Sequence, residues 1–526
     1  MILPRRLTSA VLALPVLLAP LSLSTGAVGE PSTDFTIASD RPGHVYGPSE
    51  AAVIRVDTPT DAVGWALFDS AARRIAEGTV PTVAGTATIE LPPRSNGRYR
   101  LAVDVGAATR STGIAWVPAT STDPAFGLAG HWVDNGSDPN WHHRTTEAVH
   151  RIGVGTIRTD VQWPAVERQR GRYDFSEIDR RIAALEPNVS SIIVPLDYGH
   201  EFYTVTRNSP PVTDAARAAF AGYAAATVEH LEARFPDLDF AFEVYNEWPR
   251  NIPDSAAQYV ALLDAVADRV DEAPHRSPLV GGVQTLNSSG EHDWWSRFLR
   301  LGGADRVQVV SAHPYTNQAH DPGAPDICSP LSPETCTEAS LQWLRNEIDR
   351  YAGSEKPLWV TENGWWSAQG QGGSVAAGLQ AAYLVRGWVA AARVGVSRYV
   401  VYEALDDVPA ASFDRQAHFG VFGNRTTDWG AQNAAVAYAT LIRQLSGLEF
   451  VADRSSGRLR VAEFSDGERT VRVLWSVDNT PVTETLPLRG QAARTDMFGR
   501  ERTVSPTNGT YSTSVDSWPV FLAEDR

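Results

Sequence analysis

Short runs of alternating apolar and polar residues fill positions 35–119: AAVIRVDT, GWALFD, TATIEL, YRLAVDV and GIAWVP, separated by turn clusters such as RSNG. Successive strand side chains point to opposite faces, so the pattern predicts an all-β module, a sandwich of immunoglobulin-like type. PATSTDPA reads as a linker. From 124 to 446 the period lengthens, and strand-like runs alternate with helical ones: VGTIRTDV then SEIDRRIAALE, LDFAFEVYNE then DSAAQYVALLDAVADRV, LWVTENG then SVAAGLQAAYLVRGWVAAARVG. Eight such units predict an α/β fold, a (β/α)8 TIM barrel with enlarged loops. A doubly wound sheet is the competing topology, but no Gly-rich phosphate loop follows the first strand. Residues 447–526 return to β alternation and predict a second, smaller sandwich packed on the barrel.

Composition narrows the partners. The chain has 526 residues, 43% of them hydrophobic, and a net charge of −16 from 46 basic and 62 acidic side chains. That balance argues against nucleic acid and against an anionic membrane surface. Sixteen Trp offer flat apolar platforms of the kind that stack on sugars. At the N-terminus Arg5 and Arg6 precede an apolar run to Leu23, then small residues at Ala27 and Gly29, the pattern of a secretory signal spanning residues 1–29. Pro15 and Pro20 interrupt the run, which disfavours a membrane anchor, so a secreted protein is expected. Cys328 and Cys336, in the Pro-rich DICSPLSPETC, are expected to form one local disulfide in that compartment. No further Cys or His stands near them at metal-ligand spacing.

The candidate chemistry lies in carboxylates at strand ends, where a barrel of this type gathers its active site. Asn246 and Glu247 close the fourth strand, and Glu362 closes the seventh in LWVTENGWW. Another Asn-Glu pair, Asn346-Glu347, falls inside a helix among alternating charges and reads as a solvated face. Glu243 sits four residues before Glu247, roughly 13 Å deeper at ~3.3 Å per residue, and reads as an interior carboxylate paired with Arg158 of the second strand. Two carboxyls facing each other across a pocket suit glycoside cleavage: one protonates the leaving oxygen, the other stays ionised and attacks the anomeric carbon. Arg158 and, on the sixth strand, His313 and Tyr315 are the neighbours expected to keep Glu362 charged.

The fourth strand ending Asn-Glu, the sixth carrying His-Pro-Tyr and the seventh ending Thr-Glu-Asn-Gly resemble the clan A glycoside hydrolases. RTDVQWPAVERQRGRYDFSEID and AAYLVRGWVAAARVGVSRYVVYEALDD resemble family 39 and its bacterial relatives most closely. The resemblance implies retaining double displacement without metal or organic cofactor, with Glu247 as acid/base and Glu362 as nucleophile. It implies that Asn246 binds the hydroxyl beside the anomeric centre, that Tyr315 donates to Glu362, and that His313 lines the same subsite. It makes His200 in LDYGHEFY and His131 in AGHW substrate contacts. Trp365, Trp366, Trp429 and Trp132 are loop aromatics available for stacking. Two departures stand out: Trp248 follows the acid where many relatives have Pro, and Tyr402-Glu403 ends the eighth strand where many have a Trp platform. An endo-acting glycanase like those of family 5, an arabinofuranosidase and a barrel that binds carbohydrate without cleaving it are the alternatives. Sugar identity and oligomeric state are not legible.

Overall fold

The computed structural model of the protein describes residues 35–118, 121–132, 139–286, 288–316, 334–368, 374–407, 415–478 and 480–525. The expected signal segment and Cys328 lie outside them, while Cys336 is buried in the first turn of a helix.

Eight parallel strands form the central barrel: β1 (Asp123–Ala129), β2 (Val154–Arg158), β3 (Ser191–Asp197), β4 (Asp239–Val244), β5 (Leu279–Thr285), β6 (Val309–His313), β7 (Leu358–Asn363) and β8 (Val396–Val401). Each pairs with the next, and β8 pairs with β1, which closes the ring. The helices between them are α1 (Pro139–Arg151), α2 (Ser176–Leu185), α3 (Asp214–Arg234), α4 (Ser255–Val270), α5 (Ser289–Arg300), α6 (Glu334–Tyr351), α7 (Ala377–Arg393) and α8 (Asn433–Leu445). Their starts are set locally. Thr213 caps α3 by accepting from the Ala216 amide, and Ser288 with Glu291 forms a reciprocal capping box on α5. Strands buried on both faces read as continuous apolar runs, as in SIIVPLD of β3, where every residue is buried.

The barrel interior is layered. Its apolar floor comprises Ala129, Ile193, Ala241, Val280, Val309, Trp359 and Val400. Alternation along β6 then places Ser311 one step above Val309, and His313 one step above that. The same alternation along β4 puts Glu243 above Ala241. A polar layer therefore sits on an apolar plug, and the interior is filled rather than open.

Antiparallel sandwiches flank the barrel. In the N-terminal one, strand Arg74–Val83 pairs with Ala62–Phe68 of one sheet and Thr86–Leu91 of the other, around a core that includes Ile54, Leu67, Ile89, Leu101 and Trp116. It docks on the barrel through His44, whose ring nitrogens meet the Gly113 carbonyl at 3.0 Å and Asp428 at 3.1 Å. The C-terminal unit has a six-stranded sheet covered by the pair Val482–Pro487 and Thr510–Val515. Strand Arg469–Ser476 splits its faces in the period-two manner. Val471, Val473 and Trp475 join the barrel's helical core, while Leu474 joins the sandwich's own. Arg386 of α7 donates to Glu334 at 2.7 Å, and the Trp475 indole donates to the same carboxylate at 3.1 Å, so a buried ion pair pins this domain.

Candidate active site

Glu247 and Glu362 meet at the strand C-terminal end of the barrel, and each stands where regular strand geometry fails. Strict alternation from Trp359 and Thr361 would turn Glu362 away from the interior. The β7–β8 register is irregular between Val360 and Asn363, and that irregularity turns Glu362 inward. Gly364 makes the crossing possible, because a Cβ there would collide with the Tyr402 carbonyl of β8's end. On β4 the ladder stops at Val244; Tyr245 has φ +65° and Glu247 φ +45°. Left-handed backbone at a non-glycine residue costs on the order of 1–2 kcal/mol and persists only where the surroundings enforce it. Regular alternation from Glu243 would put Tyr245 and Glu247 on its face of the strand, and these two left-handed residues break it. Tyr245 packs with Phe220 of α3 and with Trp248, in the layer between strands and helices.

Arg158 organises the constellation. Its Nε donates to Glu243 at 2.6 Å, Nη1 to Glu362 Oε1 at 2.6 Å and Nη2 to Asn246 Oδ1 at 2.9 Å. One rigid fork thus fixes three side chains from two other strands. Glu243 also accepts from Ser311 at 3.0 Å. The second oxygen of Glu362 accepts from the Tyr315 hydroxyl at 2.8 Å. His313 Nδ1 lies 3.0 Å from Glu247 Oε1 and 3.7 Å from Glu362 Oε2, and its Nε2 lies 3.2 Å from Thr361 Oγ1. The expected place of His313, beside the sugar, is thereby refined: it stands between the two acids. One oxygen of Glu247, one of Glu362 and a ring nitrogen of His313 lie within 4.8 Å of one another. A cation would fit that spacing, but both Glu362 oxygens already accept hydrogen bonds and Arg158 supplies positive charge beside them.

Exposure separates the acids: the Glu247 side chain is 39% exposed, that of Glu362 11%. Burial opposes charge on Glu362. His313, Arg158 and the Tyr315 hydrogen bond outweigh it and hold the carboxyl below the ordinary glutamate range. Burial likewise opposes charge on His313, but Glu362 and Glu247 raise its pKa. For Tyr315, burial and the Glu362 charge both push the hydroxyl well above the tyrosine range, which keeps it a donor.

Other expected contacts are placed differently. His200 is buried, with Nε2 2.9 Å from the Glu167 carbonyl and Nδ1 accepting from the Phe202 amide, so both ring nitrogens are used in bracing its own loop. Trp365 is buried, seated on Gly387 and against Tyr383 of α7. Trp366 and Trp132 are buried too, the latter donating to Thr145 at 2.9 Å. Trp429 is half-buried. Trp248 is buried, and its carbonyl accepts from Gln284. His131 stays accessible, 3.7 Å from Asp160 and edge-on to Tyr402. Tyr402 also meets Tyr315 and Phe419 edge-on, so an aromatic wall stands where the sequence lacked the Trp platform. Sequence reasoning overlooked Tyr198, which receives a long 3.4 Å bond from Asn246 Nδ2. Its signal was a polar-tipped aromatic just past the end of β3.

No protein-family model matches the sequence, and no curated protein matches it. Solved structures do match. A family 39 glycoside hydrolase from the gut symbiont Bacteroides cellulosilyticus WH2 superposes with a TM-score of 0.75 at 20% identity, covering 93% of this chain and 99% of that one. A family 39 beta-xylosidase from Caulobacter crescentus gives 0.52 at 16% identity, covering 78% and 98%. A family 30 endoxylanase from Clostridium papyrosolvens C71 gives 0.52 at 11%, also covering 78% and 98%. At such identities the likeness shows the fold, a barrel with flanking β domains, and it is the fold of the glycoside hydrolases that the sequence resembles.

Proposed function

We propose that the protein is a secreted, retaining glycoside hydrolase acting on oligo- or polysaccharides. The observation that carries this reading is a sheltered carboxylate, Glu362, with both oxygens oriented by Arg158 and Tyr315, within 4.8 Å of a more exposed one, Glu247. Retaining enzymes place their carboxyls roughly 5–5.5 Å apart, too close for a water to stand between them and the sugar.

In the first step Glu362 attacks the anomeric carbon while Glu247 protonates the departing oxygen, and a glycosyl ester forms on Glu362. Its charge disappears as the ester forms, and Glu243 keeps Arg158 paired through that change. His313 Nδ1 lies 3.0 Å from Glu247 Oε1, so the imidazole orients the carboxyl that serves the leaving group. Glu247 then takes a proton from the incoming water, which releases the sugar with its configuration retained. Asn246 has its carbonyl held by Arg158 and donates from Nδ2 to Tyr198 at 3.4 Å, which leaves its second amide hydrogen for a sugar hydroxyl. His131 and Tyr402 line the same sugar. Secretion rests on the N-terminal sequence pattern. The activities in the neighbours' names make β-xylosides and xylan the first substrates to test.

The test is a panel of nitrophenyl glycosides and polysaccharides with product chromatography. Glu362→Gln should lower turnover roughly 10⁴-fold or more without altering thermal unfolding by more than a few degrees. Glu247→Ala should regain activity in azide on substrates with good leaving groups. Near-normal rates for Glu362→Gln would overturn the assignment.

A further inference from the structure

A cavity of about 410 Å³ lies where all three parts of the chain meet. Arg94, Asn96 and Arg98 come from the N-terminal sandwich, Asn433 from the first turn of α8, and Phe498 and Arg500 from the C-terminal domain. None of the catalytic residues lines it. Its charge runs against that of the chain. Arg73 is paired with Asp69 at 2.7 Å, and Arg500 with Asp496 at 2.9 Å. Among the described residues no carboxylate pairs with Arg94 or Arg98. Arg98 Nε donates only to the Ala431 carbonyl, at 3.2 Å, and Arg94 Nε and Asn96 Oδ1 are buried without a hydrogen-bond partner. Burial and neighbouring Arg100 pull the Arg98 guanidinium below the usual arginine range, a cost that a bound anion removes. The N-cap of α8, Gln432, makes no side-chain bond to the helix amides, so the helix dipole adds to the positive field.

We propose that this cavity binds an anionic saccharide unit, a sugar carrying a carboxylate or sulfate group, as a site separate from the catalytic carboxylates. Two guanidiniums without acidic partners select the anion. Asn96 and Asn433 supply donors and acceptors for hydroxyls, and the Phe498 ring offers an apolar face. The volume falls within the range of small-molecule sites, far above the need of a lone inorganic anion. In this topology helices begin at the end where strands stop, which puts Asn433 toward the catalytic end of the barrel, while Gly499, between Phe498 and Arg500, lies against Thr440 two turns further along α8. This inference goes beyond the hydrolase reading and does not need it to hold.

Isothermal titration calorimetry on the full chain carrying Glu362→Gln tests it, with trigalacturonate, a sulfated disaccharide, xylotriose and sodium sulfate as probes. At least one anionic saccharide should bind, more weakly as salt rises. Adding Arg94→Ala or Arg98→Gln should weaken it roughly tenfold or more. Arg94→Ala in the otherwise intact enzyme should leave kcat/KM on aryl glycosides unchanged, so this site and the catalytic reading fail separately. Equal binding of xylotriose, equal competition by free sulfate, or affinity indifferent to both substitutions would overturn the proposal.

Discussion

Two buried arginines serve opposite purposes. Arg386 meets Glu334 where the C-terminal sandwich docks on α7, one cation against one carboxylate, sealed by Trp475. Arg158 meets two carboxylates, Glu243 and Glu362, and a third, Glu247, stands nearby with His313 between. Charge at the first is matched when the chain folds, and the pair's work is finished. Charge at the second is in excess on the acidic side, and the mismatch is arranged on the atoms that would react. Buried ion pairs add little net stability because desolvation offsets attraction, yet removing one partner strands a charge. The same chemistry thus locks one region and arms the other.

Removing each arginine separates these roles. Arg158→Met should have the largest effect: kcat/KM falls at least about 10²–10³-fold, and the stranded Glu243 costs about 3–5 kcal/mol of stability. Arg386→Met should cost a similar 3–5 kcal/mol, read by denaturant unfolding, while kcat stays near wild type wherever the protein remains folded. A large kcat loss from Arg386→Met would erase the contrast. Tyr315→Phe should lower kcat roughly 10²-fold. Because the folded Glu362 pKa lies below its ordinary 4.5, the acid limb of kcat/KM should fall below that pH in the wild type. Losing the Tyr315 bond should move that limb upward, and a pH–rate profile reads it.

The smallest effect belongs to Glu403, at the end of β8. It is buried with one oxygen lacking a hydrogen bond, and burial, then Asp407, push its carboxyl well above the glutamate range. A folded pKa above the unfolded one means stability falls as pH rises from about 4.5 toward the folded value. Glu403→Gln should therefore raise the melting temperature increasingly as pH climbs through that window, and change it little below.

Pattern and position carried the architecture. Alternation announced both sandwiches, and eight strand–helix units announced the barrel, because burial follows period two and period 3.6 whatever the loops do. Position also told Asn246-Glu247 from Asn346-Glu347, which lies on α6 with Asn346 exposed. The backbone departures at Tyr245, Glu247 and β7 left no periodic trace, since they arise from how strand ends pack against their neighbours. His200, Trp365, Trp366 and Trp132 are all buried, and a place between elements in the sequence says nothing about how far a side chain is exposed. The link from His313 to Glu247 crosses two strand ends, a distance no single segment encodes.

The central claim is that Glu362 becomes covalently glycosylated while Arg158 and Tyr315 hold it. The most direct measurement is intact-protein mass spectrometry after incubation with a 2-fluoro glycoside of a sugar the enzyme accepts, followed by peptide mapping. The account predicts one added fluoroglycosyl group, on Glu362, absent from the Glu362→Gln variant. A label on another residue, or none during time-dependent inactivation, would contradict it.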